Sequence, residues 1–276
     1  MLLDGKKIAE HILDQLKIDV AALPMQPIFC DILVGNDPVS LSYVKIKGKT
    51  AESCGITFLL VQLPEDILQS QLEEKIRELQ STPSLCGLIL QLPLPNHLDR
   101  QQALNAIGPE LDVDCLGSQN SDLLYAGKAA LIPPTAAAIL KMVEALPQSQ
   151  QSGKFVVVGQ GQLVGKPITA LLRQQGKDVA VTDKTTQNLP EITKTADVLI
   201  CGTGQAGLID QSFVKSGAAV IDAGTAEIDG GIVGDVNFES VREIAGFLTP
   251  VPGGVGPITV SMLLYNVVAV AKKKLK

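Results

Sequence analysis

The sequence predicts an α/β protein of two lobes, each built on a parallel sheet, and three observations lead there. Short apolar, β-branched runs alternate with longer helical patterns, the order that parallel crossover connections require. A polar, turn-rich stretch, "PQSQQSG" at 147–153, interrupts that alternation near the middle of the chain. A second series of strand-like runs then starts, and its first strand ends in a glycine-rich turn. The expected division is 1–146 for the first lobe and 147–255 for the second, with a C-terminal helix, 256–276, packing back on the first.

Taken in order, "MLLDGKKIAEHIL" opens an amphipathic helix over about 5–20. Buried strands are expected at "IFCDILVG" (28–35), "ITFLLVQL" (56–63) and "CGLILQLPLP" (86–95). Helical patterns at about 38–54, 66–80 and 100–107 connect them, and a Pro-Pro-Thr entry at 133–135 starts a further helix ending near Leu146. The second series reads "KFVVVG" (154–159), "DVAVTD" (178–183), "ADVLICG" (196–202) and "AAVIDAG" (218–224), with helices after Gly165, near Leu189 and near Asp210. "VGPITVSMLLYNVVAVAKK" (255–273) is the closing helix.

Composition removes several classes of function. The chain has 276 residues, a net charge of −6, 3% aromatic residues and no tryptophan. An acidic, aromatic-poor chain suits neither the phosphate backbone of nucleic acid nor base stacking, so no nucleic-acid partner is expected. Five dispersed cysteines without a CxxC pair read as reduced, buried thiols of a cytoplasmic protein, and two isolated histidines make no metal site. The N-terminus lacks the pattern of a secretion signal, and no apolar run approaches the ~20 residues of a membrane span, so no membrane partner is expected.

Two stretches carry chemistry. "SYVKIKGK" (42–49) holds one tyrosine and three lysines. As helix it places Tyr43 and Lys47 four apart on one face and Lys45 and Lys49 on another. Such a stretch is usually solvated surface, so a chemical role for Lys47 needs support from elsewhere. "VVVGQGQLVGKP" has strand, glycine turn and helix in the order of a Rossmann-type dinucleotide site, with Gly159, Gly161 and Gly165 spaced GxGxxxG. Asp183, ending the next strand, is placed either to bond an adenosine ribose hydroxyl or to cap its own turn.

Assembled, these pieces resemble the bifunctional methylenetetrahydrofolate dehydrogenase/methenyltetrahydrofolate cyclohydrolase family nearly end to end. The matching segments are "YVKIK", "GLILQLPLP", "LDVDC", "GQGQLVGKP", "VKSGAAVIDAG", "GDVNF" and, most specific, "TPVPGGVGPITVSMLL". The resemblance implies an N-terminal folate-site lobe, a Rossmann-type lobe and a folate site between them. The implied reactions are oxidation of 5,10-methylenetetrahydrofolate with a nicotinamide cofactor and hydrolysis of the methenyl product to 10-formyltetrahydrofolate. They belong to one-carbon metabolism and serve purine biosynthesis. It also implies a homodimer.

Site residues follow from the same resemblance. Tyr43 and Lys47 fall on the family's Tyr-x-x-x-Lys pair, Gln91 is the partner of that lysine, and Asp114 in "DVD" is the carboxylate that grips the pterin. Asp112 is left to brace the turn. Pro252, Gly253, Gly254 and Pro257 bring backbone to the folate. Gly159, Gln160, Gly161, Gly165, Asp183, Lys184 and Thr225 form the cofactor set. NADP is the implied cofactor, with NAD possible, because "GQG" stands where the family commonly has Gly-Arg-Ser and Asp183 would repel a 2′-phosphate that Lys184 would attract. Cys115 replaces a glycine, "PPTA" (133–136) a Pro-Cys-Thr-Pro stretch, and "DAGTA" (222–226) an Asp-Val-Gly-Ile-Asn stretch. Two other readings stand beside this one: a shikimate-type dehydrogenase, and a degenerate folate-binding protein without catalysis.

Overall fold

The computed structural model describes residues 1–228 and 231–275. The chain divides into two compact units, one of His11–Pro134 with Val260–Lys276, the other of Met1–Glu10 with Thr135–Thr259. In chain order the first part carries α1 (Gly5–Ala21), β1 (Ile28–Val34), α2 (Pro38–Ser53), β2 (Thr57–Leu63), α3 (Gln69–Leu79), β3 (Leu85–Leu90), α4 (Arg100–Asn105) and α5 (Ser118–Tyr125). Then follow α6 (Pro134–Glu144), α7 (Gln148–Gln151), β4 (Phe155–Val158), α8 (Gly165–Gln174), β5 (Val179–Thr182), α9 (Leu189–Thr193) and β6 (Val198–Cys201). A 3-10 turn (Gln211–Phe213), β7 (Ala219–Asp222), β8 (Ala226–Ile228), β9 (Gly231–Val233), α10 (Phe238–Val241), β10 (Phe247–Leu248) and α11 (Val255–Lys274) complete the chain.

In the 11–134 unit the sheet order is β2-β1-β3, all parallel. β1 is central and buried along its length apart from its first residue, as a run apolar on both faces requires. α2 begins where Asp37 accepts a hydrogen bond from Ser40 N–H at 2.7 Å, with Pro38 at the first helical position. Its buried stripe is Ser40, Val44, Lys47, Gly48 and Ala51. A side chain on Gly48 would meet the Phe58 ring of β2, so that glycine sets how closely α2 lies on the sheet.

The 135–259 unit has the parallel order β10-β7-β6-β4-β5 and, separately, the antiparallel pair β8-β9. The chain runs from β4 to β5 on one side and then crosses to β6 on the other. β4 is therefore the switch point of the sheet, and its carboxyl end is where such sheets take ligands.

Several expectations change. The boundary lies at 134/135 rather than 146/147, and the first ten residues belong with the later unit. The polar stretch is no linker: it forms α7, where the Gln151 side-chain amide donates to Leu146 O at 2.7 Å and that of Gln150 to Gly217 O at 3.0 Å. The helix expected near Asp210 is a 3-10 turn, and α5 and the β8-β9 pair were not foreseen. α11 is also long and apolar enough by composition to cross a membrane, against the reading that no stretch approaches that length. Its Leu263, Leu264, Val267, Val268, Val270 and Ala271 instead join the core of the 11–134 unit.

Candidate active site

Lys47 is 8% exposed, whereas Lys45 and Lys49 on the same helix stand in solvent. A buried lysine requires partners. Lys47 Nζ donates to Gln91 Oε1 at 2.7 Å and forms an ion pair with Asp31 Oδ2 at 2.6 Å. Gln91 follows β3, where its N–H continues the ladder to Ile32 O at 2.8 Å. Its side-chain amide donates to Leu92 O at 2.5 Å, which turns Oε1 toward the lysine. Tyr43, one helical turn before Lys47, is partly buried, and that burial raises its hydroxyl above the usual range.

The segment after Ile107 supplies carboxylates. Asp112 is bound into its own turn, accepting from Gly117 N–H at 2.9 Å, Leu116 N–H at 3.3 Å and the Asn120 amide at 3.1 Å. Asp114 accepts no hydrogen bond from the described residues. Burial pushes its carboxyl up to about 6, with Lys47 drawing it down and Asp112 and Asp31 adding to the rise. Cys115 has φ +58°, the left-handed conformation that glycine takes easily, which is the physical content of the glycine expected there. Asn266 of α11 fixes the segment from the other end of the sequence, its amide donating to Val113 O at 2.8 Å and Ile132 O at 2.9 Å.

In the 135–259 unit the glycine turn fits a dinucleotide. Gly159 has φ +94° at the carboxyl end of β4, and Gly161 is exposed with open space where a Cβ would stand. A Cβ on Gly165 would strike the Gly159 carbonyl, so α8 can begin this close to the turn only from a glycine. Gln160 folds back, its amide donating to Gly159 O at 2.9 Å. Asp183 Oδ1 accepts from Thr185 N–H at 2.9 Å and from the Thr185 hydroxyl at 2.6 Å, so it caps its own turn. These bonds, led by the Thr185 hydroxyl, hold its carboxyl below the usual range. Lys184 and Thr225 are exposed. In the "PVPGG" stretch Val251–Pro252 is cis, Gly253 has φ +107° and accepts from Gly5 N–H at 3.1 Å. Gly254 lies against the Pro250 carbonyl, and Pro257 sits in the first turn of α11.

The structure thus brings Lys47 and Gln91 into contact, with the charge of Asp114 near enough to act on Lys47. The cofactor residues and the Pro252–Pro257 set belong to the other unit. Asp31 and the buried pair Asp222 and Asp235 were missed. Asp222 accepts from the N–H groups of Gly224, Asp235 and Val236, and Asp235 from those of Thr203 and Gln205, so the two brace the loops after β6 and β7. The available signal was an acidic residue inside an apolar run, as in "IFCDILV" and "AAVID".

Fold and site together define a two-unit α/β enzyme, with a buried lysine–amide pair in one unit and a dinucleotide-type switch point in the other. A family model for the tetrahydrofolate dehydrogenase/cyclohydrolase catalytic domain matches residues 3–114, and one for the NAD(P)-binding domain of the same enzymes matches 133–275. The bifunctional protein FolD of Brevibacillus brevis is 40% identical over 280 aligned residues, covering 100% of this chain and 98% of the relative. The crystal structure of the bifunctional enzyme from Campylobacter jejuni aligns with TM-score 0.94 at 37% identity, covering 99% of each chain. The Trypanosoma brucei enzyme, solved with NADP cofactor and an inhibitor, aligns with TM-score 0.95 at 34% identity, over 100% of this chain and 98% of that one. The chain belongs to the tetrahydrofolate dehydrogenase/cyclohydrolase family.

Proposed function

We propose that this protein oxidises 5,10-methylenetetrahydrofolate to the methenyl cation with a nicotinamide cofactor and hydrolyses that cation to 10-formyltetrahydrofolate. The observation that carries the reading is the buried Lys47–Gln91 contact at 2.7 Å, inside the unit matched by the catalytic-domain model. Family membership disfavours the shikimate-type reading, and a binder without catalysis has no need of a buried lysine held by two partners.

NADP fits the glycine turn at β4: the open space at Gly161 would admit its pyrophosphate, while Gly159 and Gly165 let the turn and the start of α8 pack closely beneath it. When bound it supplies the hydride acceptor. NAD remains open to the same site, since the exposed Lys184 and Asp183 act on a 2′-phosphate with opposite signs.

The chain's own residues act on the folate. Tyr43 offers a flat face to the aminobenzoyl ring, and Asp114 takes two neighbouring pterin donors on its carboxylate. The glycines and prolines of 252–257 let backbone approach. Hydrolysis adds water to the methenyl carbon with loss of one proton. The bond from that carbon to N5 then breaks as the formyl C=O forms from the hydroxyl, and N5 takes up a proton, so one proton is released in all. Lys47 Nζ is the group of this set suited to moving it, and Gln91 orients that nitrogen. Absorbance assays with methylenetetrahydrofolate and each nicotinamide cofactor test the whole reading. Absence of both oxidation and methenyl hydrolysis would overturn it.

Two extensions belong to the same proposal. Work in the cytoplasm, supplying formyl groups for purine synthesis, accords with five buried free thiols. A homodimer accords with exposed Leu60 on the edge strand β2 and exposed Ile46 on α2. Light scattering at micromolar protein checks the second.

A further inference from the structure

Asp31 lies in the middle of β1, the central strand of its sheet, and is fully buried between Cys30 and Ile32 in "IFCDILV". Neither carboxylate oxygen has a hydrogen-bond partner of acceptable geometry. Its one compensation among the described residues is charge: Lys47 Nζ stands 2.6 Å from Oδ2. Burial drives the carboxyl upward and Lys47 opposes that rise. An ion taken from water with no hydrogen bonds is a poor way to stabilise a core, and an apolar residue of similar size would serve better there. The carboxylate is therefore not explained by folding.

It is explained by what it does to Lys47. Gln91 Oε1 and Asp31 Oδ2 engage the same nitrogen from β3's end and from β1, at 2.7 and 2.6 Å. Of the ammonium's three hydrogens one goes to Gln91 Oε1, and the charge of Asp31 Oδ2, 2.6 Å away, holds Nζ against that contact. A lysine side chain on a flexible four-carbon stem has no fixed position of its own. A single neutral acceptor such as Gln91 permits Nζ to swing about that contact, and the second, charged partner restrains the swing.

We infer that Asp31 is a positioning residue for the hydrolytic reaction, its charge holding Lys47 Nζ on Gln91 so that an N–H not given to Gln91 is offered to the folate. The inference rests on the reading that Lys47 serves hydrolysis, and its test separates the two. Oxidation depends on holding two rings together and does not need this nitrogen placed so closely, so Asp31 controls one activity and spares the other.

The experiment compares Asp31→Asn, Asp31→Glu, Lys47→Met and the double variant Asp31→Asn/Lys47→Met with the parent protein. Each is assayed for hydrolysis of the methenyl compound, for oxidation of the methylene compound and for thermal stability. Misplacing a reacting group by about 1 Å costs up to roughly 100-fold, so Asp31→Asn is expected to lower kcat for hydrolysis by roughly 10- to 100-fold. Its KM for the methenyl compound and its oxidation rate stay near the parent values. In the Lys47→Met background the same substitution lowers hydrolysis no further and raises the melting temperature, because the orphaned carboxylate is gone. Should Asp31→Asn not fold, Asp31→Glu keeps the counter-charge and shifts Nζ, and the ratio of hydrolysis to oxidation is expected to fall there too. If Lys47→Met hydrolyses normally, the reading of Lys47 fails. If Lys47→Met is inactive while the folded Asp31 variants keep the parent ratio, or lose both activities in proportion, the inference about Asp31 is overturned and the reading of Lys47 stands.

Discussion

Lys47 stands apart from the other lysines of its helix: Lys45 and Lys49, two residues to either side, stay in water while it is enclosed with an amide and a carboxylate. Replacing it by methionine keeps the length and apolar stem and removes every proton that can move. Lys47→Met should therefore lower methenyl hydrolysis by at least ~100-fold, the usual range for loss of a proton-transfer group, with oxidation still measurable. Stopped-flow assays of the two half-reactions check this, and a parent-like hydrolysis rate would leave Lys47 a structural role only. Asp114 yields a pH prediction. Its carboxyl is pushed up to about 6, burial being the main cause, and in the proposed grip only the ionised form accepts two pterin donors. Folate kcat/KM should then fall as pH drops through about 6, and Asp114→Asn should flatten that limb while weakening folate binding at pH 8 by roughly 1.5–3 kcal/mol. An unchanged acid limb in the variant would remove Asp114 from the grip. The Lys47–Gln91 contact was legible because each residue lies in a distinctive run. Asp31 was not, because periodicity averages over a window in which one acid among six apolar letters looks like noise.

The elements were read more reliably than their ends. β1, α2 and β4 fall within a residue or two of their expected spans because hydrophobic period and N-cap chemistry agree there. The strand-to-helix turn from β4 into α8 was legible from its glycines. The bonding of the turn after β5 was not: sequence allows Asp183 to face a ribose or its own threonines, and the structure has Thr185 donating to it from both N–H and hydroxyl. That carboxylate is still exposed and still charged, so it opposes a 2′-phosphate, while exposed Lys184 beside it attracts one. Asp183→Ser, which keeps a short oxygen for the turn, should raise kcat/KM for NADP relative to NAD, and Lys184→Ala should do the reverse. Both cofactors measured on the three proteins decide it, and a ratio indifferent to both substitutions would separate this turn from the adenosine ribose.

Across the whole chain, what sequence could not supply was the partnership of distant segments. Composition marked 147–153 as a break, yet two glutamine side chains tie it into the later unit and the division falls a helix earlier. The closing helix was expected to return to the first lobe, but which contacts it makes there depends on residues far apart in sequence. Asn266 is the clearest of them. It is 3% exposed in an apolar helix, and its amide donates to Val113 O and Ile132 O across 153 and 134 residues of sequence. Val113 immediately precedes Asp114, so the last helix holds in place the backbone that presents the carboxylate proposed to grip the pterin. Asn266→Leu removes the donor from the buried Val113 carbonyl and the half-buried Ile132 carbonyl, and should cost roughly 1–3 kcal/mol of stability. Because the loosened segment carries Asp114, folate KM should rise for both reactions by the same factor, whereas the Lys47–Gln91 contact and so the ratio of hydrolysis to oxidation should not change. Urea unfolding and steady-state kinetics on one preparation test this together. Lost stability with unaltered folate KM would mean that Asp112, through its bonds to Leu116, Gly117 and Asn120, holds the segment without help from α11.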